Sequence, residues 1–243
     1  MSLGCAIITY NEEHSIERTL KSVSFCDEIV VVDSGSSDNT LEIVSRYTDK
    51  FFVQEWMGYG KQKNFAISKL STDWVLSVDA DEVVTEALKE EIIKTLKSPQ
   101  SDAYAINIQL IFLGKPLRFG GNYPDYHVRL FKKGRYWFRE DSVHEGIEAP
   151  AKRLKNTMLH YSYDSIEDYF EKFNRYTSLA AEQLFKNNKR VSKAFVFGRF
   201  FAECFKRFVL KAAFLDGYEG SLFAFFSCFY SMVKYAKLKE LDK

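Results

Sequence analysis

The sequence predicts an α/β fold: a mainly parallel sheet flanked by helices, followed by a helical C-terminal extension. Three observations carry this. The first hundred residues alternate short apolar runs with helical patterns, the signature of βαβ units. The next section has alternating strands around a loop rich in Gly and Pro. From Asp164 the pattern is helical to the end. The implied domains are residues 1–162 and 163–243.

In order, Leu3–Ile8 reads as a buried strand and Glu13–Ser24 as a helix. Glu28–Val32 is a β-branched strand, then Asp38–Arg46 a helix with Asp38 as N-cap. Phe51–Gln54 is a short strand, Lys61–Leu70 a helix and Trp74–Val78 a strand. Thr85–Leu96 is a helix opened by a Thr85 cap and stopped before Pro99. Ala103–Phe112 alternates as a long strand, and 114–124 reads as a loop. His127–Phe131, Tyr136–Phe138 and Met158–Tyr161 read as short strands. Ser165 with Asp168 forms a capping box for the first helix of the extension.

Composition bounds the class. With 243 residues, 46% of them hydrophobic and 28% charged, the chain can bury a full core. The net charge of +1 hides an asymmetry. From Gln183 onward there are 12 Lys/Arg against 5 Asp/Glu, and the remainder has 22 against 28. The same tail holds 12 of the 22 Phe. The four cysteines are widely spaced and form no zinc or disulfide pattern, which fits reduced thiols in a cytoplasmic protein. No signal-peptide pattern opens the chain. The uncharged run from Ser221 to Val233 falls short of the ~20 residues that span a bilayer.

In a parallel sheet, ligands bind beyond the carboxyl ends of the strands. Three polar clusters fall there. Asp79-Ala80-Asp81 closes an apolar strand. Two carboxylates one residue apart repel unless a cation or solvent relieves them, and they offer hard oxygen ligands to Mg²⁺ or Mn²⁺. Such an ion neutralises a diphosphate. The pair also fits a solvated strand end beside a helix cap. Asp33 ends another strand and leads into Ser34-Gly35-Ser36-Ser37-Asp38-Asn39-Thr40. Its carboxylate suits a uracil N–H or a ribose hydroxyl, and Gly35 permits a tight turn. An ordinary βα loop has the same chemistry. Thr9-Tyr10-Asn11-Glu12 closes the first strand, with Tyr10 as a stacking face; Asn11 or Glu12 would equally start a helix.

Together the three clusters resemble the family-2 inverting glycosyltransferases of the GT-A, Rossmann-like fold. The likeness covers residues 3–82. Gly58-Tyr59-Gly60-Lys61-Gln62-Lys63-Asn64 resembles that family's G-x-G-x-x-R-N element, with Lys63 where Arg is usual. Lys63 remains a cation able to reach a phosphate, without the bidentate fork. Residues 124–131, Val143-His144-Glu145 and Asp216-Gly217 resemble the bacterial lipopolysaccharide-core glucosyltransferases. That resemblance implies UDP-glucose as donor and a lipid-linked core heptose as acceptor. It implies that Asp81 holds the metal, that Asp79 contacts the ribose or the metal, and that Asp33 and Thr9 hold the nucleoside.

Inverting transfer is a single displacement. It needs a base on the acceptor hydroxyl and a cation on the leaving diphosphate. Glu145 is the first choice of base and Asp125 the second. His144 has three readings: metal ligand, assistant to the base, or structural residue.

Phe197–Phe214 reads as an amphipathic helix. Arg199, Glu203, Lys206, Arg207 and Lys211 fall on one face and Phe200, Phe201, Cys204, Phe205, Phe208 and Ala212 opposite. The Phe face suits the domain core, a homodimer, or an anionic membrane surface at the inner face of the cytoplasmic membrane. No nucleic-acid motif appears. Two rival functions remain at this level: a nucleotidyltransferase that makes nucleotide sugars, and a non-catalytic nucleotide-sugar-binding protein. The nucleotidyltransferase lacks an early Gly-rich loop, since residues 9–20 have no glycine.

Overall fold

The computed structural model describes residues 1–140 and 146–242. The chain forms two compact units. The first comprises Met1–Ile108 with Asp125–Tyr161, the second Gln109–Pro124 with Ser162–Lys243. The segment 109–124 thus joins the helical unit, whereas the sequence alone assigned it to the first domain.

The first unit opens with four parallel strands: β1 (Leu3–Thr9), β2 (Glu28–Asp33), β3 (Phe51–Val53) and β4 (Trp74–Asp79). Their order is β3-β2-β1-β4. The chain leaves β1 toward β2 on one side and β4 on the other, so β1 stands at the topological switch. Strands β1, β2 and β4 read as apolar runs because both faces are buried, whereas the edge strand β3 is largely exposed. Leu3, Cys5 and Ile7 of β1 face one core, shared with Val31, Leu76 and Val78. Ala6 faces the other, with Val30, Val32 and Val75. Helices α1 (Ile16–Ser22) and α2 (Thr40–Val44) follow β1 and β2, and α3 (Tyr59–Lys69) precedes β4.

Both early helices are shorter than expected. The carbonyl of Glu12 accepts from Ser15 and Ile16, so a turn occupies the start expected for α1. Asn39, not Asp38, stands at the α2 N-cap. Asp38 instead accepts from the Thr40 N–H and hydroxyl and from the Glu13 N–H.

After β4 come β5 (Glu82–Val84), α4 (Glu86–Lys97), β6 (Ala103–Phe112), β7 (Lys115–Pro116), β8 (Tyr126–Lys132) and β9 (Lys152–Tyr163). Thr85 caps α4 as expected, accepting from the Leu88 N–H. β8 runs antiparallel to β4, and β5 antiparallel to β9. Tyr136–Phe138 is not a strand. The Asn64 side-chain amide takes both backbone groups of Phe138, at 2.9 Å each, where a ladder would have been.

The second unit holds α5 (Ile166–Lys186), α6 (Lys193–Cys204), a π-helical turn (Phe205–Leu210), a 3-10 turn (Ala213–Asp216) and α7 (Gly217–Glu240). Ser165 caps α5, accepting from the Asp168 N–H. Phe112, Leu117, Tyr169, Phe173 and Phe223 form its aromatic core. The single helix expected over Phe197–Phe214 is broken. Its α-helical part ends at Cys204, and Ala212 adopts a left-handed φ of 48° between the two turns.

Candidate active site

The strand register sets the site. Thr9 pairs with Asp33 and Ile8 with Asp79, so the C-terminal tips of β2, β1 and β4 lie side by side. The three polar clusters therefore share one sheet edge.

At the β2 tip, Asp33 is fully buried. Its carboxylate accepts from the N–H groups of Gly35 (2.8 Å) and Ser36 (2.7 Å) and from the Ser36 hydroxyl (2.5 Å). Gly35 supplies the positive φ of 95° that this turn requires. The β1 turn is stitched to it. Asn11, at φ 52°, donates its N–H to the Ser36 hydroxyl, and its side-chain oxygen accepts from Ser37 N–H. Glu12 donates its N–H to the Thr40 hydroxyl. Asn11 and Glu12 thus build the edge, while the Tyr10 side chain is exposed.

Two buried polar atoms beside this turn have no hydrogen-bond partner among the described residues: Thr9 Oγ1 and Gln62 Oε1. Both residues touch Ser34. Its N–H donates to the Thr9 carbonyl, and its hydroxyl accepts from Gln62 Nε2 at 3.1 Å. Leaving such a group unsatisfied costs about 1–3 kcal/mol, so the pair offers hydrogen-bonding capacity to a polar ligand or to water.

At the β4 tip, Asp79 is held between two cations. Lys63 Nζ lies 2.8 Å from one carboxylate oxygen, and Arg129 Nη2 lies 2.8 Å from the other. Arg129 also reaches Glu82 at 2.7 Å, and Glu82 accepts the Asp79 N–H at 2.8 Å. Lys63, Glu82 and Arg129 are all buried. Burial alone would raise the Asp79 carboxyl. Arg129 and Lys63 outweigh it and hold Asp79 well below the usual carboxylate range. Burial raises Glu82 above its ordinary value, against the pull of Arg129. Lys63 thus points at Asp79, and both Asp79 oxygens are engaged by protein cations.

Asp81 is placed differently. Its backbone carbonyl accepts from Tyr161 N–H at 2.9 Å, which ties it to β9. Its carboxylate lies 3.1 Å from His160 Nε2. His160 sits on β9 directly opposite Glu82. Burial works against a charge on His160, but Asp81, then Glu82 and Asp79, raise it to about 9. Among the described residues no set of three His, Cys, Asp or Glu side chains is grouped to hold a metal. Asp81 with His160 supplies one oxygen and one nitrogen. The Asp81 carboxylate fits Mg²⁺ or Mn²⁺ when substrate phosphates complete the shell, because such ions are usually held by one or two carboxylates.

Arg129, Glu82 and His160 were not singled out by sequence. Arg129 lies inside the quoted 124–131 motif, and Glu82 directly follows the acid pair. His160 is one of only four histidines and sits mid-strand in Met158–Tyr161, which was the available signal.

Asp125 precedes β8 and lies 2.9 Å from His127 Nε2, with both side chains about half exposed. The His127 bond and charge hold the Asp125 carboxyl below its usual value. Asp125 immediately precedes β8, and the β8–β6 register shifts between Val128 and Leu130, so Arg129 falls at a bulge of the strand. A cavity of 270 Å³ opens here, lined by Lys63, Tyr126, His127, Arg129, Phe138, Gly146 and Ile147 among others. Glu145 and His144 lie outside the described residues. A larger cavity, 520 Å³, is lined by Ser2, Glu28 and Lys50 at the opposite, N-terminal ends of the strands. It collects none of the site residues, so size does not identify the site.

A parallel edge of this order, with a strand-tip Asp in a glycine turn and an acid pair two strands away, is the arrangement expected from the likeness to glycosyltransferases of the GT-A fold. Comparison with known proteins agrees. Residues 5–145 match the model "Glycosyl transferase family 2". An uncharacterized glycosyltransferase of Rickettsia bellii is 32% identical over 99% of this chain and 87% of its own. The lipopolysaccharide core biosynthesis glycosyltransferase LpsC of Rhizobium meliloti is 31% identical over 78% of this chain and 74% of its own. Among solved structures, Staphylococcus aureus TarS 1-349 in complex with UDP-GlcNAc superposes with a TM-score of 0.51 and 18% identity. That alignment covers 99% of this chain and 91% of TarS 1-349. The chain belongs to glycosyl transferase family 2 and is a glycosyltransferase, which decides against the nucleotidyltransferase and non-catalytic readings.

Proposed function

We propose that the chain transfers glucose from UDP-glucose to a saccharide of the lipopolysaccharide core, with inversion and with the help of Mg²⁺ or Mn²⁺. The observation that carries the mechanism is the unequal environment of the two acids: Asp79 clamped by Lys63 and Arg129, Asp81 left facing His160. The likeness to LpsC supports the acceptor class, and the TarS complex supports a UDP-sugar donor.

In this reading Asp33, Thr9 and Gln62 hold the nucleoside. The carboxylate of Asp33 has one acceptor site beyond its three internal bonds. The unpaired Thr9 and Gln62 oxygens gain partners. Tyr10 stacks on the base. Asp81 and His160 would hold the divalent ion, which would supply positive charge to the leaving diphosphate. His160 would ligate the ion in its neutral form, so ion binding would be linked to loss of the His160 proton. Asp79 and Lys63 keep the edge in place rather than touching the ion. Glu145, the first choice of base from the sequence, takes the acceptor proton. Asp125 is the second candidate, exposed and oriented by His127. A lipid-linked acceptor places the work at the cytoplasmic face of a membrane.

The test is direct. Purified protein is incubated with UDP-sugars, Mn²⁺ and a core-oligosaccharide acceptor, and product is read by mass spectrometry and anomeric NMR. Glucose transfer with inversion, lost in EDTA, is expected. Full activity in EDTA would remove the ion from the mechanism, and transfer from a different nucleotide would remove UDP.

A further inference from the structure

The segment from α6 into the following π-turn is built inside out. Phe197, Phe201, Phe205 and Val209 recur every four residues, and each is more than half exposed. Glu203 and Arg207 sit on the other side. Glu203 is 12% exposed, against 67% for Phe201, and bonds Arg207 at 2.9 Å. A helix facing water arranges the two sets the other way. The Phe face expected from sequence is split: Phe200, Cys204 and Phe208 lie on the half-buried side with Glu203 and Arg207, while Phe201 and Phe205 point outward with Phe197 and Val209. The stripe continues around the turns through Leu210, Phe214, Leu215 and Tyr218, all more than half exposed.

This surface is braced by hydrogen bonds within its own unit. Asp216 accepts from the N–H groups of Arg118 and Phe119 at 2.8 and 2.7 Å. Gly120 N–H donates to the Lys211 carbonyl at 2.9 Å, and Arg207 donates to the Gly120 carbonyl at 3.1 Å. Its acids are turned in or paired: Glu203 with Arg207, Asp216 buried, Glu219 with Lys115. The exposed charges beside the stripe are cations, Lys206 and Lys211. Among the described residues no helix is long and apolar enough to cross a membrane. A two-fold pairing through this surface would bring like charges together. Anionic headgroups relieve them.

We propose that residues 201–218 are an interfacial anchor: the Phe stripe enters the headgroup–acyl boundary of an anionic leaflet, and Lys206 and Lys211 meet the headgroups. This rests on the membrane-facing reading above, and is independent of the donor chemistry. Flotation of the full chain with phosphatidylcholine vesicles, with and without phosphatidylglycerol, tests it. The full chain should float with the anionic vesicles and release at high salt. The Phe201→Ser/Phe205→Ser/Phe214→Ser variant should bind at least about tenfold more weakly. Lys206→Glu/Lys211→Glu should lose the salt-sensitive part. A Phe205→Trp variant should gain a blue-shifted emission quenched by brominated lipid, and it reports insertion even if the triple variant misfolds. If the triple variant floats like the parent, or the Trp emission does not move, the anchor is wrong while membrane binding stands. If nothing floats, both fall. If the parent is a dimer that the triple variant dissociates, and neither floats, the surface is a dimer interface instead.

Discussion

Arg129→Met probes the clamp that holds the acid edge. Arg129 and Glu82 are both nearly inaccessible, and one guanidinium nitrogen serves two carboxylates, at 2.7 and 2.8 Å. Removing one partner of a buried ion pair costs about 3–5 kcal/mol, because the charge left behind has lost its solvent and its partner. Asp79 keeps Lys63, so its share is softened, and the lower end, about 3 kcal/mol, is the expected loss. For a chain of this size that is about 6–12 °C in melting temperature. Urea unfolding followed by tryptophan emission is the assay, since Trp74 is buried on β4. The activity should fall at least about tenfold, because Asp81 is two residues from Asp79 and inherits any shift. Arg129→Met/Glu82→Gln should recover part of the stability but not the activity. A single variant that unfolds with the parent would refute the clamp, whatever its activity.

Four further outcomes are expected. Asp33→Asn should weaken UDP binding by about 1.5–3 kcal/mol in calorimetry, and an unchanged affinity would leave Asp33 as a turn residue only. Asp81→Asn and His160→Ala should each abolish the Mn²⁺-dependent part of the thermal shift that UDP gives; a full shift in either would move the ion elsewhere. Glu145→Gln should lower kcat at least about a hundredfold with donor affinity kept, and a loss in Asp125→Asn instead would exchange the two roles. Gly60→Ala should cost about 1–3 kcal/mol, since its Cβ would meet the Arg139 carbonyl oxygen at 2.0 Å; a neutral result would mean that the backbone yields there.

What the sequence made legible follows from local physics. β1, β2 and β4 are buried on both faces and leave apolar runs, and Asp33 and Asp79 fall at their tips because a carboxylate there ends the run. The turn chemistry around Gly35 and the Thr85 and Ser165 caps are local too. The contacts that were not legible join residues far apart in the chain. Glu82 meets His160 only through the β5–β9 pairing. β5 is three residues long, too short to show a period. β9 begins in a polar stretch, Lys152–Asn156, that hides its alternation. Arg129 reads as one more strand residue until β8 is laid beside β4. Tyr136–Phe138 has strand composition, but the amide of Asn64 claimed its backbone first.

The same non-local contacts explain how two acids one residue apart coexist at a strand tip. Left alone they would repel, and a pair of equal ligands would be the expected remedy. The fold divides them instead. Asp79 receives two buried cations and stays ionised without any metal, so the edge can form before substrate arrives. Asp81 receives a histidine whose proton can leave, and so keeps an exchangeable partner. On the proposed reading one acid serves folding and the other ligand binding. This division predicts opposite signatures for substitution: at Asp79 a loss of stability whether or not metal and UDP are present, at Asp81 a loss of ligand response in a protein of ordinary stability. Equal effects at both positions would mean that the two carboxylates work as one site and that the clamp is not what separates them.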